Sequence, residues 1–150
     1  MRVVIQRVSK ASVAIENKIF SKINYGLLIL LGIEVDDNQE DALWLANKVA
    51  RIRIFPDEDG KMNNSILDVD GDVLVVSQFT LHAKTKKGNR PSYIKAAKAQ
   101  QAIPLYERFI ENLSNAIGKK IQSGEFGADM KVNLLNDGPV TIIIDTKNKE

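Results

Sequence analysis

The chain has 150 residues, 44% of them hydrophobic, and a formal net charge of +2. A chain of this length forms one domain that buries roughly 68–70% of its unfolded surface. The near-neutral charge gives no bulk attraction to nucleic acid. With no cysteine and a single histidine, the composition excludes disulfides and thiolate catalysis and argues against a His-rich metal site.

The N-terminal residues 1–7 lack the apolar stretch of a signal peptide. The longest apolar run, residues 27–33, is far shorter than the ~20 residues that span a bilayer. We therefore expect a cytoplasmic protein with no membrane partner. The absence of a linker or internal repeat predicts a single domain over residues 1–150, with residues 146–150 as a frayed tail.

The first third of the chain predicts strands. Residues 2–8 alternate loosely and are rich in β-branched side chains, which is typical of a strand. Residues 12–15 and 19–23 flank a polar Glu16-Asn17-Lys18 segment and predict a hairpin. Residues 26–33 are apolar at both parities, so we expect a central strand covered on both faces.

A helix is predicted next. Asp37 and Glu40 have the spacing of a capping box. An apolar stripe follows at helical spacing, formed by Ala42, Leu45, Ala46, Val49 and Ile52. Trp44 lies off the centre of this stripe, and an edge of the core or an interface are equally good interpretations.

Residues 55–72 are acidic and rich in turn formers, which invites a calcium interpretation. An EF-hand loop needs oxygen ligands at its positions 1, 3 and 5 and a glycine at 6. Counted from Asp57, position 5 is Lys61; counted from Asp68, the glycine already arrives at position 4. Solvated turns are the better prediction.

Residues 72–80 predict a second buried strand that becomes polar at its C-terminal end, where ligands bind in open α/β sheets. A loop rich in Gly, Asn and Pro follows, and it carries Lys84, Lys86, Lys87 and Arg90. These cations form either a solvated surface or an arm that binds the phosphates of RNA.

The C-terminal half predicts a second helix, with an apolar stripe at Ile103, Tyr106, Ile110, Leu113 and Ile117 and a stop at Gly118. Pro104 either lies in the first turn of a helix that begins near 103 or kinks one that begins near 98; we favour two segments. Residues 130–135 and 140–145 then predict a closing hairpin around Gly138-Pro139.

Candidate nucleophiles are Ser77 and Thr80, with His82 as a candidate base. If the strand continues through Leu81, Ser77 and His82 point to opposite faces, and Thr80 lies roughly 6.5–7 Å from His82 along the strand. That spacing exceeds the ~3 Å reach of a hydrogen bond. The chain also lacks a G-x-S-x-G elbow, so a conventional triad is disfavoured. It lacks a Walker loop and a G-x-G-x-x-G fingerprint as well, so nucleotide and dinucleotide chemistry have no support.

Two motifs change this interpretation. Ser77-Gln78-Phe79-Thr80-Leu81, paired with Asn136-Asp137-Gly138-Pro139-Val140-Thr141, resembles the D-aminoacyl-tRNA deacylase (D-tyrosyl-tRNA deacylase) family. The similarity continues through residues 4–8, 87–92 and 126–130, so it covers nearly the whole chain in the family's order. We therefore expect an α/β fold: one three-layer domain with a mixed, barrel-like sheet, two main helices and a C-terminal hairpin carrying Gly-Pro.

The resemblance implies a homodimer, without metal or cofactor, that hydrolyses the ester between a D-amino acid and the 3′-terminal adenosine of tRNA. It implies a cis bond between Gly138 and Pro139, which would form a chirality filter that reaches into the partner subunit's pocket. The carbonyls of Phe126 and Gly138 would hold the substrate ammonium, and Arg7 would brace the Gly-Pro loop. A filter that reads Cα would accept every D side chain and also glycine.

The resemblance also places Ser77, Gln78, Phe79 and Thr80 on the pocket floor, where their backbone N–H groups face the ester carbonyl and the 2′-OH of the tRNA assists. Thr80 as nucleophile is the second interpretation, and His82 is expected to be a loop residue. Two other functions stay open. One is a non-catalytic RNA-binding module that uses the loop 84–90, and the other is a serine esterase that uses Ser77 and His82.

Overall fold

The structure, a computed structural model, describes residues 1–150. Its sheet begins with β1 (Arg2–Ile15), β2 (Lys18–Ile23) and β3 (Gly26–Gly32). β1 pairs antiparallel with β3 through its first half and with β2 through its second half. Glu16 and Asn17 turn the chain with φ of 48° and 63°, the two positive values that a two-residue hairpin requires. The predicted hairpin is confirmed, but the two strands predicted over residues 2–15 are one.

The remaining strands complete one mixed sheet and one small ribbon. β4 (Phe55–Pro56) and β5 (Met62–Asn64) pair with each other alone. β6 (Asp72–Ser77) runs parallel to β3, and β7 (Gln122–Ser123) runs parallel to β6. β8 (Lys131–Asp145) runs antiparallel to β1 along almost its whole length.

Side chains of both parities are buried because the sheet is covered on both faces. The odd-numbered side chains of β3, such as Leu27 and Ile29, pack with both helices in the larger core. The even-numbered Leu28 and Leu74 pack with Val13 and Ile23 in a second core. β2 contacts β6 and β7 although neither is its neighbour in the sheet. The sheet is therefore barrel-like, and the predicted α/β, three-layer fold class is confirmed.

The first helix, α1 (Gln39–Arg51), is capped by Asn38, not by Asp37. The Asn38 side chain accepts from the N–H groups of Glu40 and Asp41, and the Asp41 carboxylate accepts from the N–H of Asn38. The predicted cap was one residue early because Asp37 turns inward. Its buried carboxylate accepts from the amino group of Met1 and from the N–H of Glu34.

The second helix, α2 (Ala99–Ile117), is continuous and contains Pro104. The predicted division into two segments is wrong. A proline removes one helical hydrogen bond, whereas the buried side chains of Leu105, Tyr106, Phe109 and Leu113 keep the same face packed on the sheet. Gly118 ends the helix in the left-handed conformation, as predicted. Neither α-helix combines the length and the apolar character needed to cross a lipid bilayer.

The C-terminal residues are anchored where fraying was expected. Thr146 is buried, its N–H donates to the carbonyl of Met1 and its hydroxyl accepts from the Met1 amino group. Lys147 forms an ion pair with Asp41 at 2.8 Å. Lys149 lies 4.3 Å from the centre of the Trp44 ring, which packs at the edge of the larger core.

The predicted C-terminal hairpin is replaced by a single strand. Both halves of β8 pair with β1 in the same direction, so the chain does not reverse at Gly138-Pro139. The register steps from the Val8–Asn136 pair to the Gln6–Thr141 pair, which leaves residues 137–140 unpaired. We call this segment the Gly-Pro bulge.

Candidate active site

A cleft of about 270 Å³ opens at the C-terminal end of β6. Ser77, Gln78, Phe79 and Phe126 line it, together with apolar side chains that include Leu31, Ile33, Val76, Ala97, Met130 and Val132. The polar end of a buried strand, where the sequence predicted a ligand site, thus faces a largely apolar cleft. Met130, from the loop before β8, and Val132, from β8, were not assigned to the site from sequence because no local pattern brings them beside β6.

β6 ends at Ser77 and gives way to a 3₁₀ turn over Phe79–His82. The N–H of Gln78 donates to the carbonyl of Leu31 at 2.8 Å and ties the start of this turn to β3. The side-chain amide of Gln78 donates to the hydroxyl of Thr80 at 2.6 Å. Ser77, Gln78 and Phe79 thus line the cleft as expected, whereas Thr80 does not line it and is linked to it through Gln78.

His82 is buried inside the 3₁₀ turn, so its prediction as a loop residue is wrong. Its Nδ1 lies 3.5 Å from a carboxylate oxygen of Glu34, and the ring packs against Gly32. The parity argument against a Ser77–His82 pair assumed a strand through Leu81, which the structure does not have. His82 forms no hydrogen bond with Ser77 or Thr80, so the structure gives a serine esterase no base.

Arg2, on β1, connects the 3₁₀ turn to β8. Its Nη1 donates to the carbonyl of Leu81 at 2.7 Å, and its Nη2 lies 2.7 Å from the carboxylate of Asp145. Partial burial acts to raise the pKa of Asp145, but the N–H of Lys147 and the guanidinium of Arg2 outweigh it and hold that pKa below its ordinary value.

Arg7, on β1, contacts the Gly-Pro bulge through Asp137. The buried guanidinium donates from Nη1 to the carbonyl of Ile54 at 2.7 Å, and its Nε lies 3.0 Å from the carboxylate of Asp137. The side-chain amide of Asn136 donates to the carbonyls of Arg7 and Val140. Both ends of the bulge are therefore fixed to β1.

Gly138 and Pro139, at the centre of the bulge, are exposed, and the peptide bond between them is cis. Gly138 has φ of 130°, and a Cβ there would lie 2.7 Å from the Val140 side chain and 3.0 Å from the Arg7 guanidinium. Only glycine fits this position. Neither Gly138 nor Pro139 lines the cleft of its own chain.

Phe126 is supported by a residue that the sequence indicated only as part of a helix stripe. The ring of Tyr106, on α2, meets Phe126 edge-to-face with centroids 5.7 Å apart. The Tyr106 hydroxyl donates to the carbonyl of Val75 at 2.9 Å, and the N–H of Gly124 donates to the same carbonyl. Burial raises the pKa of Tyr106, so its hydroxyl keeps the proton that it donates.

The basic loop lies on the surface beside the cleft. Its four cations, Lys84, Lys86, Lys87 and Arg90, are exposed, and none forms an ion pair. Two backbone hydrogen bonds between Lys84 and Ser92, of 2.8 and 3.0 Å, close the loop at its base.

Comparison with known proteins gives one consistent family. The family model described as D-Tyr-tRNA(Tyr) deacylase matches residues 4–145. Curated proteins named D-aminoacyl-tRNA deacylase from Bacteroides thetaiotaomicron and Flavobacterium johnsoniae are each 65% identical to this chain over 150 residues, which covers all of both chains.

Two solved structures share the fold. One, named "c-Myc DNA Unwinding Element Binding Protein", has a TM-score of 0.91 and 39% identity, and the match covers 97% of this chain and 98% of that one. Another, described as a probable eukaryotic D-amino acid tRNA deacylase, has a TM-score of 0.82 and 18% identity, over 95% and 97% of the two chains.

We expect Asp145→Asn to lower the free energy of unfolding at neutral pH by about 1 kcal/mol, the upper end for a partly exposed ion pair. The folded-state pKa of Asp145 lies below its ordinary 3.8. Its contribution is therefore present above that value and is lost as the pH falls below about 4. Urea denaturation at several pH values should show the two proteins converging in acid. Asp129→Asn, which removes an exposed carboxylate, is the control; a constant difference down to the acid limit would contradict the assignment.

Proposed function

This chain belongs to the D-Tyr-tRNA(Tyr) deacylase family, and from that premise we propose how its cleft works. The protein is a D-aminoacyl-tRNA deacylase, a hydrolase of the ester that joins a D-amino acid to tRNA. The observation that carries the mechanism is the cleft at the end of β6, where a strand end and a 3₁₀ turn meet and which no histidine lines. Hydrolysis of the ester releases the free D-amino acid and the tRNA, and we place the reaction in the cytoplasm, where translation occurs.

The backbone of the 3₁₀ turn stabilises the developing oxyanion. The N–H groups that open a helical turn have no acceptor within it, and those of Phe79 and Thr80 open this one. Donors preorganised for an oxyanion are each worth ~10²–10³ in kcat. An aminoacyl ester is already activated, so these donors, with the 2′-OH of the tRNA as the assisting group, suffice without a protein nucleophile.

Thr80 has no group beside it that could make it a nucleophile. Its hydroxyl accepts a hydrogen bond from the amide of Gln78, and an amide cannot remove a proton at neutral pH. The Gln78–Thr80 contact instead keeps the turn in the shape that aims its N–H groups. This supports the backbone mechanism over nucleophilic Thr80.

The Gly-Pro bulge acts as the chirality filter of a homodimer. It is exposed and braced by Arg7, and it does not line the cleft of its own chain, so it serves the cleft of the partner subunit. Exposed Leu134, Leu135 and Ile143 on β8 give that contact an apolar surface. The carbonyl of Gly138 then joins that of Phe126 in holding the substrate ammonium.

A backbone wall suits this selectivity. Rejecting an L-amino acid by ~1,000-fold requires about 4 kcal/mol, whereas one methylene-sized contact supplies only ~1–3 kcal/mol. A clash with the wrong Cβ supplies more, and a braced prolyl backbone cannot rotate away as a side chain does. Glycine has no Cβ, so the same site also hydrolyses glycyl-tRNA.

The loop cations Lys84, Lys86, Lys87 and Arg90 contact the tRNA phosphates. A second candidate function, a non-catalytic nucleic-acid-binding module, is favoured by these unpaired cations and by the 39% identical structure, which is named as a DNA-binding protein. It differs in one respect that can be measured, because phosphate binding does not depend on the chirality of the amino acid.

We expect the purified protein to hydrolyse a D-aminoacyl-tRNA at least ~1,000-fold faster than its L-form, because the filter must supply about 4 kcal/mol. The measurement is loss of labelled amino acid from both tRNAs over time, with glycyl-tRNA as a third substrate. Equal rates on the D- and L-forms would refute the filter. Salt-sensitive binding of both without hydrolysis would establish the second candidate.

Phe79→Pro removes one proposed oxyanion donor while keeping a residue that suits the first position of a helical turn. We expect its kcat to fall by ~10²–10³, whereas the matched Phe79→Ala variant, which keeps the N–H, should retain kcat. Thr80→Ala loses only the neutral hydrogen bond from Gln78, worth about 1 kcal/mol, so its kcat should fall by no more than roughly tenfold. The measurement is single-turnover hydrolysis at saturating D-aminoacyl-tRNA. A loss of several orders in Thr80→Ala alone would establish a nucleophilic Thr80 instead.

Mixed dimers test whether the bulge acts across the subunit interface. Pro139→Gly loosens the wall, so its homodimer should attack L-aminoacyl-tRNA. Phe79→Pro has an inactive cleft but an intact bulge. Co-expression of a Pro139→Gly chain with an excess of Phe79→Pro chain should restore D-selectivity, because the active cleft now receives the intact bulge. Undiminished L-hydrolysis in the purified mixed dimer would show that the bulge serves its own chain.

A further inference from the structure

Two aromatic rings stand exposed at the mouth of the cleft. Phe79 is 55% exposed and Tyr93 is 38% exposed, and their rings meet edge-to-face with centroids 5.0 Å apart. Phe79 lines the cleft, so Tyr93 extends its apolar surface outward. A single exposed ring is ordinary, but a pair of exposed rings at the rim of a substrate cleft is a candidate ligand-binding surface.

The segment that carries Tyr93 is held rigidly at both ends. Ser92 exchanges two backbone hydrogen bonds with Lys84, of 2.8 and 3.0 Å. On the other side of Tyr93, the N–H of Ala97 donates to the carbonyl of Ile33 at 2.9 Å, and the N–H of Val35 donates to the carbonyl of Lys95 at 3.0 Å. The Tyr93 ring therefore occupies a fixed place beside the cleft.

The surroundings of the pair are cationic. Residues 73–106 contain no Asp or Glu, and they include the four loop cations together with Lys95 and Lys98. None of these six side chains forms an ion pair. Glu34 is turned toward His82, and Asp129 in the cleft pairs with Lys131. The field at the cleft mouth therefore favours a polyanion.

Exposed aromatic rings within a cationic surface are the two elements by which proteins bind single-stranded nucleic acid, since bases stack on the rings while Lys and Arg meet the phosphates. We propose that Phe79 and Tyr93 form a stacking platform for the unpaired bases at the 3′ end of the substrate tRNA. This rests on the proposed function, because the ester in the cleft places that end at the cleft mouth.

The platform assigns separate roles to the two kinds of contact. The loop cations attract any tRNA through its phosphates, whereas the ring of Tyr93 fixes the direction from which the single strand enters the cleft. Tyr93 acts as a binding residue and not as a catalytic one, because it lies outside the set of residues that line the cleft. Its loss should weaken binding and leave the chemical step and the D/L ratio unchanged.

The test compares Tyr93→Ala with Tyr93→Phe, using Ile94→Ala as a matched control because Ile94 is the neighbouring and more exposed side chain. Loss of one base stack corresponds to roughly 5- to 150-fold in affinity. We expect Tyr93→Ala to raise KM for D-aminoacyl-tRNA by a factor in that range with kcat unchanged. Tyr93→Phe and Ile94→Ala should resemble the wild type.

A binding experiment identifies the contacted part of the tRNA. Deacylated tRNA with its unpaired 3′ nucleotides should bind the wild type more tightly than Tyr93→Ala, whereas tRNA trimmed of those nucleotides should bind both equally. An unchanged KM in Tyr93→Ala, or a defect that persists on trimmed tRNA, would overturn the platform and leave the deacylase function intact. A lack of D-selective hydrolysis in the wild type would instead refute the proposed function.

Discussion

The strand β1 is the element on which both halves of the site depend. It pairs with β2, β3 and β8, and it carries the two arginines that hold the irregular segments. Arg2 donates to the carbonyl of Leu81 and so fixes the 3₁₀ turn of the cleft. Arg7 fixes the Gly-Pro bulge through Asp137. A guanidinium suits this task because it offers five N–H donors in a fixed plane.

The proposed mechanism uses backbone groups more than side chains, and the residues that support the cleft explain why. The groups that face the cleft are a strand end, a 3₁₀ turn and a loop, and each is tied down by a side chain lying behind it: Gln78, Arg2 and Tyr106. Backbone N–H and carbonyl groups do not titrate near neutral pH, and their positions are set by these supports. In the proposed mechanism the rate enhancement comes from preorganised electrostatics, which supply most of it in many enzymes.

The proposed mechanism separates selectivity from catalysis in space. Gly138 and Pro139 do not line the cleft of their own chain, and the bulge is held by hydrogen bonds of its own. In the proposed dimer they meet across the interface, so a chirality check by backbone is available only to the assembled protein. The proposed stacking platform at the cationic mouth of the cleft would add a third contribution, the attraction and alignment of the tRNA end.

Local patterns in the sequence determined the buried strands, the Glu16-Asn17 hairpin, the stop at Gly118 and the polar strand end at Ser77, because periodicity and turn chemistry act over a few residues. The paired motifs also indicated the family to which the chain belongs. Only the tertiary structure decided that 137–140 is a bulge and not a hairpin, since both flanks of that segment pair with the distant β1. It likewise buried His82 against Glu34 and turned Asp37 toward Met1. These outcomes depend on contacts between residues far apart in the chain, which a local pattern does not contain.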